Sequence, residues 1–215
     1  VTTDKRLLRG ARTRGVVLRR AVDLASLDGL DGLSFGRLAA DTGMSKAGVQ
    51  TLFKSKETLQ LAAIDHAREL FVAAVVEPAR GEPRGVPRLR ALVAHWLDYA
   101  EEPLFAGGCF RAAVMTEFDS RPGPVREALL RDQRDWRATL AAQFRHAVTD
   151  REIAQIDSEL AAFHLDAVLL AANTALRLGD SDVASMVWRA LDHLLIQCPQ
   201  PIPSNSAIVR NSVRG

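Results

Sequence analysis

The stretch that decides the fold runs from Phe35 to Lys54 and reads FGRLAADTGMSKAGVQTLFK. Two short apolar-periodic segments meet there around Gly43. Two helices joined by a tight turn need a small residue where they touch, a glycine able to take positive φ, and an apolar residue pinning the second helix to the first. Ala39, Gly43 and Val49 stand at positions 5, 9 and 15 of this twenty-residue window, and Leu38 and Leu52 supply further core contacts. Ser34 and Ser45 each precede one segment as an N-cap, since a serine hydroxyl accepts from a backbone N–H of the first turn. The pattern reads as a helix-turn-helix.

Outward from this motif, the chain reads as helices throughout. Thr13 to Asp28 places Val17, Ala21, Leu24, Ala25 and Leu27 near one face and Arg14, Arg19 and Arg20 elsewhere, a first amphipathic helix. A helix from near Lys56 to about Val76 buries Leu59, Ala62, Ala63 and Leu70 and is ended by the run of prolines and glycines from Pro78 to Pro87. Beyond it, Leu89–Ala100, Phe110–Phe118, Val125–Ala147, Ser158–Leu178 and Asp182–Cys198 carry helical periodicity. The Ser158–Leu178 segment is apolar on nearly every side and is expected to be buried from several directions. The last helix repeats Val183, Val187, Leu191, Leu194 and Cys198 as one continuous stripe, which needs a partner. After Cys198 the periodicity stops, and residues 199–215 read as a flexible tail. The expected fold is all-α: a three-helix helix-turn-helix domain over residues 1–57, then a longer helical domain over residues 58–198.

Charge is distributed unevenly along the chain. Residues 1–57 hold 11 Lys and Arg against 6 Asp and Glu, whereas residues 58–215 hold 17 against 20. All four lysines, Lys5, Lys46, Lys54 and Lys56, lie in the basic part. A basic end on a slightly acidic protein suits nucleic acid or another anionic surface. The N-terminal residues are polar where a signal peptide is apolar, and no run of 18 apolar residues occurs. A cytoplasmic protein with no membrane partner is the expectation.

The order of a first helix, the segment GLDGLSFGRLAADTGMSKAGVQTLFKSKETLQLAAI, and a long helical remainder resembles the TetR family of transcriptional regulators. The resemblance is closest over residues 10–65, and GGCFRAAVMTEFDSRPGPVREAL from Gly107 to Leu129 is similar to one subgroup. It implies an operator-binding homodimer paired through the last two helices, most often a repressor released from a palindromic operator by a small molecule. It assigns operator binding to residues 1–57 and effector binding and dimerisation to residues 58–198. The alternatives are a DNA-binding dimer without such an effector and, ranked below it, a helical enzyme.

The resemblance also assigns site residues. Ser45, Lys46, Ala47, Gly48, Gln50 and Thr51 lie on the helix that enters the major groove. Lys46 is suited to guanine or phosphate, Gln50 to an adenine edge or phosphate, and Thr51 to a thymine methyl. The family pattern L-Y-x-Y-F is here V-Q-T-L-F, so its tyrosine contact to phosphate is missing. Lys56 matches the phosphate-clamping lysine at the start of the fourth helix. Lys54 lies beside it, Ser34 is an N-cap or a further phosphate contact, and Arg12 and Arg14 are an arm over the DNA backbone or simply solvated.

For the effector of unknown class, the candidate pocket residues are His95, Trp96, Tyr99, Phe110, Met115, Phe118, Trp136, Phe144, Phe163, His164 and Asn173, with Glu117 as a further polar anchor. Each is equally readable as plain core. Cys109 reads as a buried thiol or, beside Arg111, as a redox sensor. The histidines never form HExxH or HxH, no zinc-spaced Cys/His cluster occurs, and P-loop, GxGxxG and GxSxG motifs are missing. No catalytic function, metal or cofactor is therefore expected.

Overall fold

The computed structural model of the chain describes residues 2–196, with side chains from residue 10 onward. Helix α1 spans Thr2–Asp28, α2 Phe35–Thr42, α3 Lys46–Phe53 and α4 Lys56–Phe71. The chain continues through a π-helical turn, Val72–Val76, into the short α5, Glu77–Ala79. Then follow α6 (Val86–Glu101), α7 (Phe110–Phe118), α8 (Pro124–Thr149), α9 (Ser158–Arg177) and α10 (Val183–Ile196). No strand occurs among the described residues. Cys198 and the expected tail lie outside them.

Helix α1 begins well before Thr13, because no proline interrupts the polar N-terminal stretch. Its buried face is Val17, Leu18, Ala21, Val22, Leu24 and Ala25. Leu27, expected on that face, is 53% exposed, since it falls seven residues after Arg20 and eleven after exposed Val16, on the outer side of the helix. The helix running from Lys56 also passes the first proline. Pro78 lacks an N–H and crowds the preceding turn, and the π-helical turn ahead of it, closed by the Glu77 N–H on the Val72 carbonyl, takes up the mismatch.

In the motif, Ser34 caps α2 by accepting from the Arg37 N–H, and Ser45 caps α3 by accepting from the Gly48 N–H. Gly43 closes α2 in the left-handed region at φ 68°, its N–H on the Ala39 carbonyl. Leu38, Ala39, Val49 and Phe53 are buried, while Leu52 is half-buried against them. Ser55 caps α4 in the same way, accepting from the Thr58 N–H.

Helices α4 and α6–α9 enclose the second half of the core, and α10 packs on α9. Helix α9 is not buried from several directions as its composition suggests. Ala161, Ala162, Leu165, Leu169 and Ala172 face inward, but Leu160 and Phe163 are 45% and 52% exposed, with Ala167, Ala171 and Leu178 continuing the outer stripe. By length and composition α9 is also apolar enough to cross a membrane.

Candidate nucleic-acid interface

Helix α3 lies on the core through Val49 and Phe53, so its opposite face, with Lys46, Ala47, Gln50 and Thr51, is turned to solvent. The Thr51 hydroxyl donates to the Ala47 carbonyl at 2.8 Å, which fixes the side chain and leaves its methyl outward. Gly48 keeps the first turn open: a Cβ there would lie 3.1 Å from the Ser45 Oγ that caps the helix. The backbone then turns sharply at Lys54, whose φ of 61° is rare for a residue with a side chain. Its N–H closes α3 on the Gln50 carbonyl, and α4 starts two residues later.

Beside α3 lies an open cleft of about 410 Å³ lined by Ser34, Gly36, Lys46 and Lys56, with Asp31 also on its wall. It brings two ammonium groups, a hydroxyl and the N-terminal turn of α2 together, the combination that holds a phosphate. Much of the other basic charge in residues 1–57 is spent within the fold. Arg20 pairs with Asp41 at 2.8 Å, and Arg37 with Asp28 at 2.6 Å. Arg14 rests over the Phe53 ring, 5.0 Å from its centroid. Lys46 and Lys54 form no salt bridge among the described residues and are exposed.

Lys56 is held toward the cleft, donating to the Asp31 carbonyl at 2.7 Å with the Asp31 carboxylate at 3.7 Å. Asp31 is shared with Arg121, just beyond α7; the Arg121 hydrogen bond and charge, joined by Lys56, hold the Asp31 carboxyl below its usual range against the effect of desolvation. From α7, both oxygens of Glu117 accept at 2.7 Å, one from the Leu30 N–H and the other from the Asp31 N–H. From α4, the Gln60 amide donates to the Leu30 carbonyl at 3.0 Å. Residues 29–33 are thus gripped from both helices. Glu117 is accordingly no pocket anchor, because both its oxygens are engaged by this backbone.

Known proteins share the fold that carries this surface. The family model described as "Tetracyclin repressor-like, C-terminal domain" matches residues 85–191. The chain is 28% identical to a TetR transcriptional regulator from Chloroflexus aurantiacus J-10-FL, over 87% of this chain and 94% of that one, at a TM-score of 0.74. The chain belongs to the TetR family. Two more distant structures share this TetR fold. One is a TetR-family transcriptional regulator from Streptomyces coelicolor, 23% identical, covering 87% of this chain and 95% of its own, TM-score 0.74. The other is AibR in complex with isovaleryl coenzyme A and operator DNA, 22% identical, covering 82% of this chain and 97% of its own, TM-score 0.69. No curated protein matches the sequence.

In this TetR regulator the expected pocket residues do not line one chamber. Met115 and Phe118 line an open groove of about 180 Å³ with Leu129, Leu130, Gln133 and Arg126. Tyr99 and Phe110 line a separate small cavity, with the Tyr99 hydroxyl accepting from the Phe110 N–H at 3.2 Å. Burial pushes the Tyr99 phenol well up from its usual value, with Cys109 beside it adding to the rise. Trp96, Trp136 and Phe144 are packed core. His95 is half-buried, 3.8 Å from exposed Asp98. The Asn173 Oδ1 accepts from the Cys109 N–H at 3.0 Å and so ties α9 to the start of α7. Phe163 and His164 face solvent on the outer side of α9. Cys109 is buried, at 2% exposure.

Proposed function

We propose that this chain is an operator-binding transcriptional regulator acting as a homodimer, with α3 in the major groove and release governed by a small molecule. The observation that carries the reading is the solvent face of α3, where Lys46, Gln50 and Thr51 stand beside the cleft of Ser34, Lys46 and Lys56. In this reading the α3 side chains meet base edges, and the cleft holds the flanking phosphate. Lys54, Ala47, Gly48 and Ser45 lie at the same surface, and Arg14 leaves Phe53 to reach the backbone.

Dimerisation through α9 and α10 is supported by their uncovered apolar side chains. Leu160 and Phe163 on α9, Leu178 just past its end, and Met186 and Ile196 on α10 are all exposed. A second copy covering this face forms a four-helix contact with two-fold symmetry, which sets the two α3 helices about 34–36 Å apart and makes the operator palindromic. The AibR structure, with both operator DNA and an acyl coenzyme A, is consistent with an effector for this chain as well.

Selection of genomic fragments by the purified protein, followed by footprinting at two salt concentrations, tests the reading. A palindrome protected by a dimer is expected. Sequence-blind binding that disappears with modest salt would leave only a basic surface.

A further inference from the structure

Arg111, in the first turn of α7, is 5% exposed. Its guanidinium lies 5.1 Å from the Phe71 ring centroid and 5.5 Å from that of Trp136. Its Nε and Nη1 have no hydrogen-bond partner. An arginine cannot give up its charge in a protein interior, and a buried donor without an acceptor is costly, more so when charged. Asp132 and Asp166 lie near enough to feel the charge, yet neither supplies the acceptor that Nε and Nη1 lack. Their nearer ion-pair partners are Arg68, 3.6 Å from Asp132, and Arg137, 4.0 Å from Asp166.

The guanidinium borders a cavity of about 10 Å³ walled by Phe71 of α4, Tyr99 of α6, Phe110 of α7 and Asp132 of α8. That space is at the lower limit of what a single water needs. The π-helical turn begins at Val72, immediately after Phe71 on one wall, and such interruptions of the α-helical ladder recur at functional sites.

Unfilled guanidinium donors between aromatic rings suit an anion with an apolar body. A carboxylate is planar and singly charged and takes guanidinium N–H groups directly, whereas a doubly charged phosphate would meet repulsion from Asp132 and Asp166. We infer that Arg111 anchors an effector site for a small monocarboxylate, with the cavity widening between α4 and α8 to admit the hydrocarbon. The inference rests on reading the chain as a ligand-responsive regulator.

The test titrates the full chain without DNA, by calorimetry and thermal unfolding at constant chloride, with acetate, hexanoate and phenylacetate against hexanamide and phenylacetamide. Hexanoate or phenylacetate is expected to bind at least tenfold more tightly than its amide, and Arg111→Met is expected to abolish that preference. Equal binding of acid and amide, unchanged binding in the variant, or no binding by any acid overturns the assignment. Should Arg111→Met fail to fold, Arg111→Lys keeps the charge but not the fork and is expected to lose at least tenfold; unchanged affinity again overturns it. Repeating the titrations on a DNA fragment the protein binds separates the two readings. Acid binding without any change in DNA affinity removes the ligand response and leaves the site. DNA release by some other compound, with no acid binding, removes the site and leaves the regulator.

Discussion

Gly107 donates its N–H to the Ser26 hydroxyl at 2.8 Å and lies so close to the end of α1 that a Cβ added to it would fall 1.9 Å from the Ser26 carbonyl oxygen. The loop before α7 is therefore pressed against the backbone of the last turns of α1, and no side-chain adjustment can relieve the overlap. Gly107→Ala is expected to destabilise the protein by about 3 kcal/mol, read as a lower urea midpoint. Gly36→Ala is the contrasting case. Gly36 sits in α2 with nothing within 4 Å of an added Cβ, so helix propensity alone predicts a gain of about 0.5–1 kcal/mol. Similar effects from both would contradict this account of the contact.

Lys56 and Gln50 are expected to fail in different ways on DNA. Lys56→Ala removes an ammonium from the cleft, weakening binding to all sequences and lowering the salt slope by about 1. Gln50→Ala leaves the slope alone and costs about 1–3 kcal/mol at one position of the operator. Titrations on selected and scrambled duplexes at several salt concentrations read both quantities. Equal loss on both duplexes for Gln50→Ala would make it a phosphate contact.

Phe163→Glu places a charge in the centre of the uncovered stripe of α9. Since Phe163 is half-exposed in the single chain, the folded subunit should survive with nearly unchanged secondary structure. Sedimentation is expected to show a monomer, and affinity for a palindrome should fall to that of a half-site. A dimer with full affinity would move the interface elsewhere.

Asp166 gives a pH signature. Burial pushes its carboxyl above the usual value of 3.8, outweighing the charges of Arg111 and Arg137. The folded state thus holds this proton more tightly than the unfolded chain, so this group's contribution falls as pH rises from about 4 through its raised folded value. Asp166→Asn removes the loss. Its Tm is expected to exceed that of the parent by a few degrees near pH 7, with the gain shrinking toward pH 4. A lower Tm at neutral pH would show that the pairing with Arg111 and Arg137 outweighs the burial.

What the sequence disclosed follows the range of the interactions involved. Ala39, Gly43, Val49 and the two serine caps act within a few residues, so the motif was legible directly. The helices after it were equally plain, because a 3.6-residue period is local. Phe163 was placed in a pocket as an aromatic of the helical body and His164 as a polar anchor, and residue type does not distinguish a face covered within the subunit from one left outside. Glu117 was read as a pocket anchor for a similar reason. Its partners are the backbone N–H groups of Leu30 and Asp31, far away in the chain, and a backbone donor leaves no mark in a sequence. Whether Met115 and Tyr99 border the same space depends on ångström-scale fits between helices that pattern does not encode.

The double grip on residues 29–33 bears on how such proteins can be recombined. A chimera that joins residues 1–57 of this chain to the body of another regulator would carry Asp31, Gln60's carbonyl target and Lys56 across the cut, while leaving Glu117, Arg121 and Gln60 behind. The transplanted head would retain its α3 surface yet rest on a body with no carboxylate at the right height to meet it. A graft that also exchanges Gln60, Gly107, Glu117 and Arg121 would keep the two halves mechanically matched, so that the unit inherited together is a scattered set of residues, not a contiguous segment.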